Sequence, residues 1–254
     1  MPEAIDVPAR IEALWRTRTL PVDAGVVHVV ATWFDGDCHR VIRIEPDSPK
    51  SDADFFALNL TRARADIILT TGQILRDEPE LEYALPDAWS DAMTAWREAA
   101  LGRTAPPKVA VLTSGRGIDP EHPAFHGWAS PVVLTSTDAA RALRRDLPAH
   151  VRVIGLPSTE PRDVVATLRA DGAKTIAIEA GPSTARALYA EPSIVDELSW
   201  SQYCGPDLAH ELRGRVVFPE SPDAGTLRQT APAVTLEESS GKWRFSRHVR
   251  TPPG

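Results

Sequence analysis

Thr175-Ile176-Ala177-Ile178 is an apolar and β-branched run with no polar alternation. A run of this kind makes a short strand buried on both faces, and such a strand needs helices above and below its sheet. It ends in Glu179, followed by Ala180, Gly181, Pro182, Ser183 and Thr184, and then by a helical segment over residues 185–190. A strand that gives way to small residues and then to a helix sets backbone N–H groups beside a positive helix end. A phosphate or a dinucleotide can be held there. An ordinary tight βα connection also favours Gly and Pro, so the turn alone assigns no function.

The rest of the chain repeats the alternation. Residues 26–32, 66–70, 108–113, 132–135 and 151–154 read as strands, and residues 9–16, 52–64, 87–101, 138–146 and 161–171 as helices. Strands alternating with helices imply right-handed crossovers and a mostly parallel sheet covered on both faces. After Leu198 the pattern changes: residues 198–203, 215–218, 227–236 and 243–249 are strand-like with no helix between them. The expected fold is therefore α/β, a central mostly parallel sheet flanked by helices and finished by antiparallel C-terminal strands. One domain over residues 26–254 follows an N-terminal arm, residues 1–25.

Local signals refine this outline. Ser51 is placed to cap the helix over 52–64, with Phe55, Phe56 and Leu58 as its buried stripe. Residues 36–50 read as a long acidic loop and residues 75–79 as a turn. Trp89, Met93, Trp96 and Ala100 recur at helical spacing, a stripe that serves as core or as subunit contact.

Charge and cysteine usage exclude several classes. The formal charge is −7 and the 28 basic residues are scattered, which argues against a nucleic-acid surface. No uncharged apolar run approaches the roughly 20 residues that span a bilayer, and the early acidic residues do not make a signal peptide. Cys38 and Cys204 lack metal-ligand or redox spacing. No metal is expected, and a cytoplasmic location is.

Four blocks carry a resemblance. They are Ala31-Thr32-Trp33-Phe34-Asp35-Gly36; Ala65 to Gln73 leading to Asp77-Glu78-Pro79; Leu112-Thr113-Ser114-Gly115 running to Asp119-Pro120-Glu121-His122-Pro123-Ala124-Phe125; and the stretch from Lys174 to Leu198. Together they resemble the riboflavin-biosynthesis pyrimidine reductase family, the RibD C-terminal domain, which is dihydrofolate reductase-like. The blocks run in family order from about Val26 to Arg250. The deaminase half of bifunctional relatives, with its Cys and His zinc motif, is absent.

The resemblance implies an NADPH-dependent reductase acting on a ribosylamino-pyrimidine phosphate or a related heterocycle, working as a homodimer. It places Gly72, Thr113, Ser114, Arg116, Gly181, Pro182, Ser183 and Thr184 on the cofactor side. Thr32, Trp33, Asp35, Asp77 and Glu179 fall on the substrate side, with Asp35, Asp77 and Glu179 as the catalytic candidates. Glu179 either orients substrate or caps backbone N–H groups of the next turn.

The departures from the family pattern open a second reading. Thr70 and Gln73 stand where the family has Gly and Thr, and the Thr70 side chain is expected to crowd a nucleotide's approach. Trp33, in place of a serine, either narrows the substrate's approach or points into the core, since neighbouring strand residues face opposite ways. A member that has lost hydride transfer and binds a ligand or a partner is the alternative to the reductase.

Overall fold

The computed structural model describes residues 5–127, 130–219 and 227–251, so both ends of the expected arm and domain, residues 1–4 and 252–254, lie outside the described residues. Helix α1 (Val7–Trp15) starts at Asp6, whose side chain accepts from the Ala9 N–H. Strands β1 (Gly25–Phe34) and β2 (His39–Ile42) precede α2 (Asp52–Arg64), β3 (Ile67–Thr71), α3 (Gly72–Asp77) and α4 (Asp87–Leu101). Next come β4 (Lys108–Leu112), β5 (Val132–Ser136), α5 (Thr137–Asp146), β6 (Arg152–Leu156), α6 (Pro161–Ala170) and β7 (Thr175–Ile178). Helix α7 (Pro182–Tyr189) leads to β8 (Glu197–Tyr203), β9 (Arg213–Phe218), β10 (Leu227–Gln229), β11 (Val234–Glu238) and β12 (Gly241–Arg250).

Among the described residues the strands form one sheet in the order β10-β12-β8-β1-β7-β3-β4-β5-β6, with β11 on β12, β2 on β1 and β9 on β2. From β8 to β6 every neighbouring pair is parallel, and β12 turns the sheet antiparallel. The expected architecture therefore holds, with one reassignment. β8 stands parallel to β1, because α7 returns the chain across the sheet before β8 begins. The antiparallel part starts one strand later than the loss of helices implied.

Three further differences have local causes. The acidic loop contains β2, which folds back on β1 as a hairpin. Gly36 takes φ 101°, and the Asp35 carboxylate accepts from the Asp37 and Cys38 N–H groups, closing the turn. Residues 72–77 are helical because Thr71 caps them, its hydroxyl accepting from the Ile74 N–H. In α2, Ser51 caps as expected, but the buried stripe is Phe56, Leu60 and Ala63. Phe55 is 45% exposed and Leu58 half-buried.

The core has two sides. On one face α6 and α7, through Val164, Leu168, Ala185 and Leu188, pack on Val26, Ile176, Ile178 and Trp200. On the other, α1, α2 and α4 cover β1, β8 and β12. Met93 and Trp96 lie within that second cluster, so the aromatic stripe of α4 is core; Ala100 is exposed, and Leu101 takes its place inside.

His28 sits under α7, its Nδ1 2.9 Å from the Tyr189 hydroxyl. Burial lowers its pKa from 6.5 to about 4. The unfolded chain therefore takes up a proton that the folded one refuses, and stability is expected to fall as pH drops from 6.5 toward 4. Urea titrations across that window should show a shallower slope for His28→Gln. An identical slope would mean that another group carries the effect.

Candidate functional site

The loops that matter leave the carboxyl ends of adjacent parallel strands, the edge where open α/β sheets bind ligands. Leu69 pairs with Ile178, Thr71 with Leu112, and Leu112 with Leu134. The exits of β7, β3 and β4 consequently lie side by side. They carry Glu179 to Thr184, Gly72, and Thr113 to Arg116 to one place.

Gly72 and Thr113 touch. A Cβ at position 72 would stand 2.6 Å from the Thr113 Oγ1 and 2.8 Å from the Ile118 Cδ1. Glycine is required there by this contact between neighbouring loops. Thr113 is buried, and its hydroxyl accepts from the Gly115 N–H, shaping the turn in which Ser114 and Arg116 are exposed. The backbone carbonyl of Arg116 accepts from the Arg76 Nη1 at 2.8 Å, which joins this turn to α3.

Gly181 differs from Gly72. It is the N-cap of α7, no side chain caps that helix, and a Cβ built at Gly181 would meet nothing within 4 Å. Pro182 occupies the first helical turn, with Ser183 exposed and Thr184 half-buried. Free space therefore faces an uncapped helix start flanked by two hydroxyl side chains. A phosphate group fits such a cradle.

The acidic candidates are placed less simply. Glu179 is bound by Arg62 of α2 in a two-pronged pair, Nε to Oε1 at 2.8 Å and Nη2 to Oε2 at 2.7 Å, with both side chains at 10% exposure or less. Arg62 also donates to the Glu82 carbonyl and lies 5.1 Å from the Tyr83 ring centroid. The Tyr83 hydroxyl donates to Thr70 Oγ1 at 2.8 Å. Asp35 accepts from Arg40 Nε as well as from its own turn. These hydrogen bonds, the Arg40 one foremost, hold its carboxyl well below the usual carboxylate range. Asp35 is a hairpin-forming anion, and Glu179 is the anchor of a clamp. Neither is a free acid. Asp77 is exposed on α3, where it accepts from Gln73 Nε2 at 2.7 Å.

Two substrate-side candidates turn inward from the edge. Thr32 is fully buried, and its hydroxyl accepts from the Trp200 indole at 2.8 Å, leaving it turned to the α7 side of the sheet. Trp33, its neighbour, points the other way into the second core cluster beneath the Arg213 guanidinium. Strand alternation separates the two, and Trp33 does not stand in the approach to the edge. Thr70 likewise turns inward to Tyr83, so its side chain does not crowd the loops. Gln73 lies on the exposed side of α3, bonded to Asp77 and Arg76.

Sequence reasoning does not single out Arg62, Tyr83 or Glu78 as site residues. Arg62 and Arg64 flank Ala63 just before a buried strand, a place where unpaired charge is costly, and that is the available signal. Glu78 is partly buried, and burial first, then the Glu179 charge, push its carboxyl up. Among the described residues no cluster of His, Cys, Asp and Glu could hold a metal ion, and no helix is long and apolar enough to cross a membrane.

The chain matches the RibD C-terminal domain over residues 43–224. Its fold is shared with a pyrimidine reductase-like protein from Corynebacterium diphtheriae at 20% identity and a TM-score of 0.66, covering 96% of this chain and 99% of that one. A diaminohydroxyphosphoribosylaminopyrimidine deaminase/5-amino-6-(5-phosphoribosylamino)uracil reductase from Thermotoga maritima aligns at 16% identity and a TM-score of 0.59, over 90% of this chain and 57% of that one. The riboflavin biosynthesis reductase of Saccharomyces cerevisiae aligns at 14% identity and a TM-score of 0.53, over 96% of this chain and 100% of that one. No match was found among curated proteins.

Proposed function

Because this chain belongs to the RibD C-terminal domain family, we propose that it is an NADPH-dependent reductase of a phosphorylated ribosylamino-pyrimidine or a related heterocycle. The observation that carries the reading is the open cradle at Gly181 beside the touching pair Gly72 and Thr113. The chain's own groups would hold a dinucleotide by its phosphates. Ser183, Thr184 and the start of α7 take the pyrophosphate, and Thr113, Ser114 and Arg116 take the 2′-phosphate. NADPH supplies a hydride when bound, so the protein's part is position and electrostatics.

Glu179, anchored by Arg62, orients the loop that follows it. Asp35 shapes the hairpin that bounds the substrate side, and Asp77 meets the substrate at the exposed end of α3. Glu78, partly buried near the Glu179 charge, is a further carboxyl candidate for handling a proton. The inward turns of Trp33 and Thr70, the two side chains expected to obstruct the site, favour activity over its loss.

A homodimer belongs to this reading. It does not rest on the apolar run of β9, because Val217 and Phe218 are spent in the protein's own core. Sedimentation showing a single 27.7 kDa species would remove it.

Gly181→Val tests the cradle. The valine meets no protein atom near its Cβ, and φ at Gly181 is an ordinary −61°. The variant should keep its thermal midpoint and lose at least tenfold in NADPH affinity, measured by nicotinamide fluorescence. Unchanged affinity in the folded variant would refute the placement. NADPH oxidation with the phosphoribosylamino-pyrimidinone precursor then tests the substrate class, and its absence would favour the alternative of a binding protein.

A further inference from the structure

Arg76 stands in the last turn of the short helix α3 and is exposed. A long side chain in water holds one pose only where its neighbours fix it, since fixing it costs rotamer freedom. Arg76 is fixed twice. Its Nη1 donates to the Arg116 carbonyl and its Nη2 to Gln73 Oε1, each at 2.8 Å. The Gln73 Nε2 donates in turn to Asp77 Oδ1 at 2.7 Å. A guanidinium carries five N–H donors, so these bonds orient the group and leave donors for a further acceptor.

The turn that Arg76 crosses is shaped to receive it. Gly117 takes φ 60°, and a Cβ built there would stand 3.2 Å from the Arg76 Cδ. Glycine satisfies that left-handed backbone and leaves room for the arginine stem. Gly72 meets Thr113 and Ile118 across the same pair of loops. Residues 72–77 and 113–118 therefore interlock at both ends, and the guanidinium rests on a rigid platform.

Topology sets the distance from the α7 cradle. β3 lies between β7 and β4, so the start of α7 and the 113–117 turn are two strand positions apart. That is roughly 10 Å at about 4.8 Å per strand, the scale of one nucleoside. A dinucleotide with its pyrophosphate at α7 brings its adenosine ribose toward the turn that Arg76 crosses. Asp77 and Asp119, both exposed, flank this region in a chain of net charge −7. A dianionic phosphate is tolerated there only where cations outweigh the acids. The planar fork of arginine suits it, because two N–H groups can bond two phosphate oxygens at once.

We propose that Arg76 is a specificity-determining residue that pairs with the 2′-phosphate beside Ser114 and Arg116 and so selects NADPH over NADH. Gln73, which departs from the family pattern, is its positioning residue, holding the guanidinium on the turn. The inference rests on the reductase reading and deepens it.

Titration of the full chain with NADPH and with NADH, followed by nicotinamide fluorescence, is the experiment. The wild type should bind NADPH at least tenfold more tightly than NADH. Arg76→Ala should weaken NADPH binding at least tenfold and NADH binding less than about twofold. Arg76→Lys keeps the charge and the stem over Gly117 but loses the fork; it should weaken NADPH several-fold and spare NADH. Gln73→Ala should shift the preference in the same direction. Equal losses for the two nucleotides would make Arg76 a structural pin between the loops and overturn the inference. Unchanged NADPH affinity in Arg76→Ala, or a wild type without preference, would overturn it too, and each of these results leaves the reductase reading standing. A wild type that binds neither nucleotide would overturn the reductase reading itself, and this inference with it.

Discussion

Glu197→Ala is expected to destabilise the protein by about 3–5 kcal/mol, the cost of leaving buried charge without its partner. Glu197 is 2% exposed and lies between two buried guanidinium groups. Arg64 Nη1 reaches its Oε1 at 2.5 Å and Nη2 its Oε2 at 3.1 Å, while Arg247 Nη2 reaches Oε2 at 2.6 Å. One carboxylate thus serves two cations, joining α2 to β8 and β12. With it gone, both guanidiniums remain inside the protein, where Arg64 Nε and Arg247 Nε already lack acceptors. The thermal midpoint should fall by on the order of 10 °C for a chain of this size. A loss under about 1 kcal/mol would show that the network is not a net support.

The same residue predicts an acid limb. Burial by itself raises the Glu197 pKa, but the charges and hydrogen bonds of Arg64 and Arg247 outweigh it and bring it from 4.5 down to about 2. The stabilising contribution is therefore complete above 4.5 and is lost as pH falls through 2. Acid titration of Glu197→Gln should lack the part of the slope that the wild type shows in that window.

Arg62→Ala should be comparably damaging, again about 3–5 kcal/mol, because Glu179 would be left largely buried without its cation. Its consequences extend to the proposed cofactor edge, since Arg62 holds the end of β7, the carbonyl of Glu82 and the ring of Tyr83 together. Arg62→Lys separates the two effects. Lysine keeps the charge but cannot make the two-pronged contact. Arg62→Lys should stay folded at 25 °C with NADPH affinity reduced several-fold. Denaturant titration and nicotinamide fluorescence on the same samples decide the matter. Full affinity with reduced stability would confine Arg62 to the core.

Elements with strong local signals are legible without the structure. The helix over 52–64 begins at its Ser51 cap and ends where expected, and β7 spans the same four apolar residues. Short-range chemistry decides such elements: periodicity, caps and β-branched runs act within a few residues. The Asp-Gly hairpin at 35–36 and the Thr71 cap are local signals too, but the polar residues around them resemble an ordinary loop.

Placement across the sheet is of another kind. Nothing near Trp33 states which face of β1 it takes, and strand registration with β8 and β7 sends Thr32 to one side and Trp33 to the other. The pairing of Arg62 with Glu179 spans 117 positions, and that of Arg64 with Glu197 spans 133. Buried charges find partners only when the sheet has closed, because the cost of leaving them unpaired is felt only in the desolvated interior. The sequence by itself thus determined the strand and helix order and the family motifs at the strand ends. Tertiary structure alone decided which acids are locked and which loops touch.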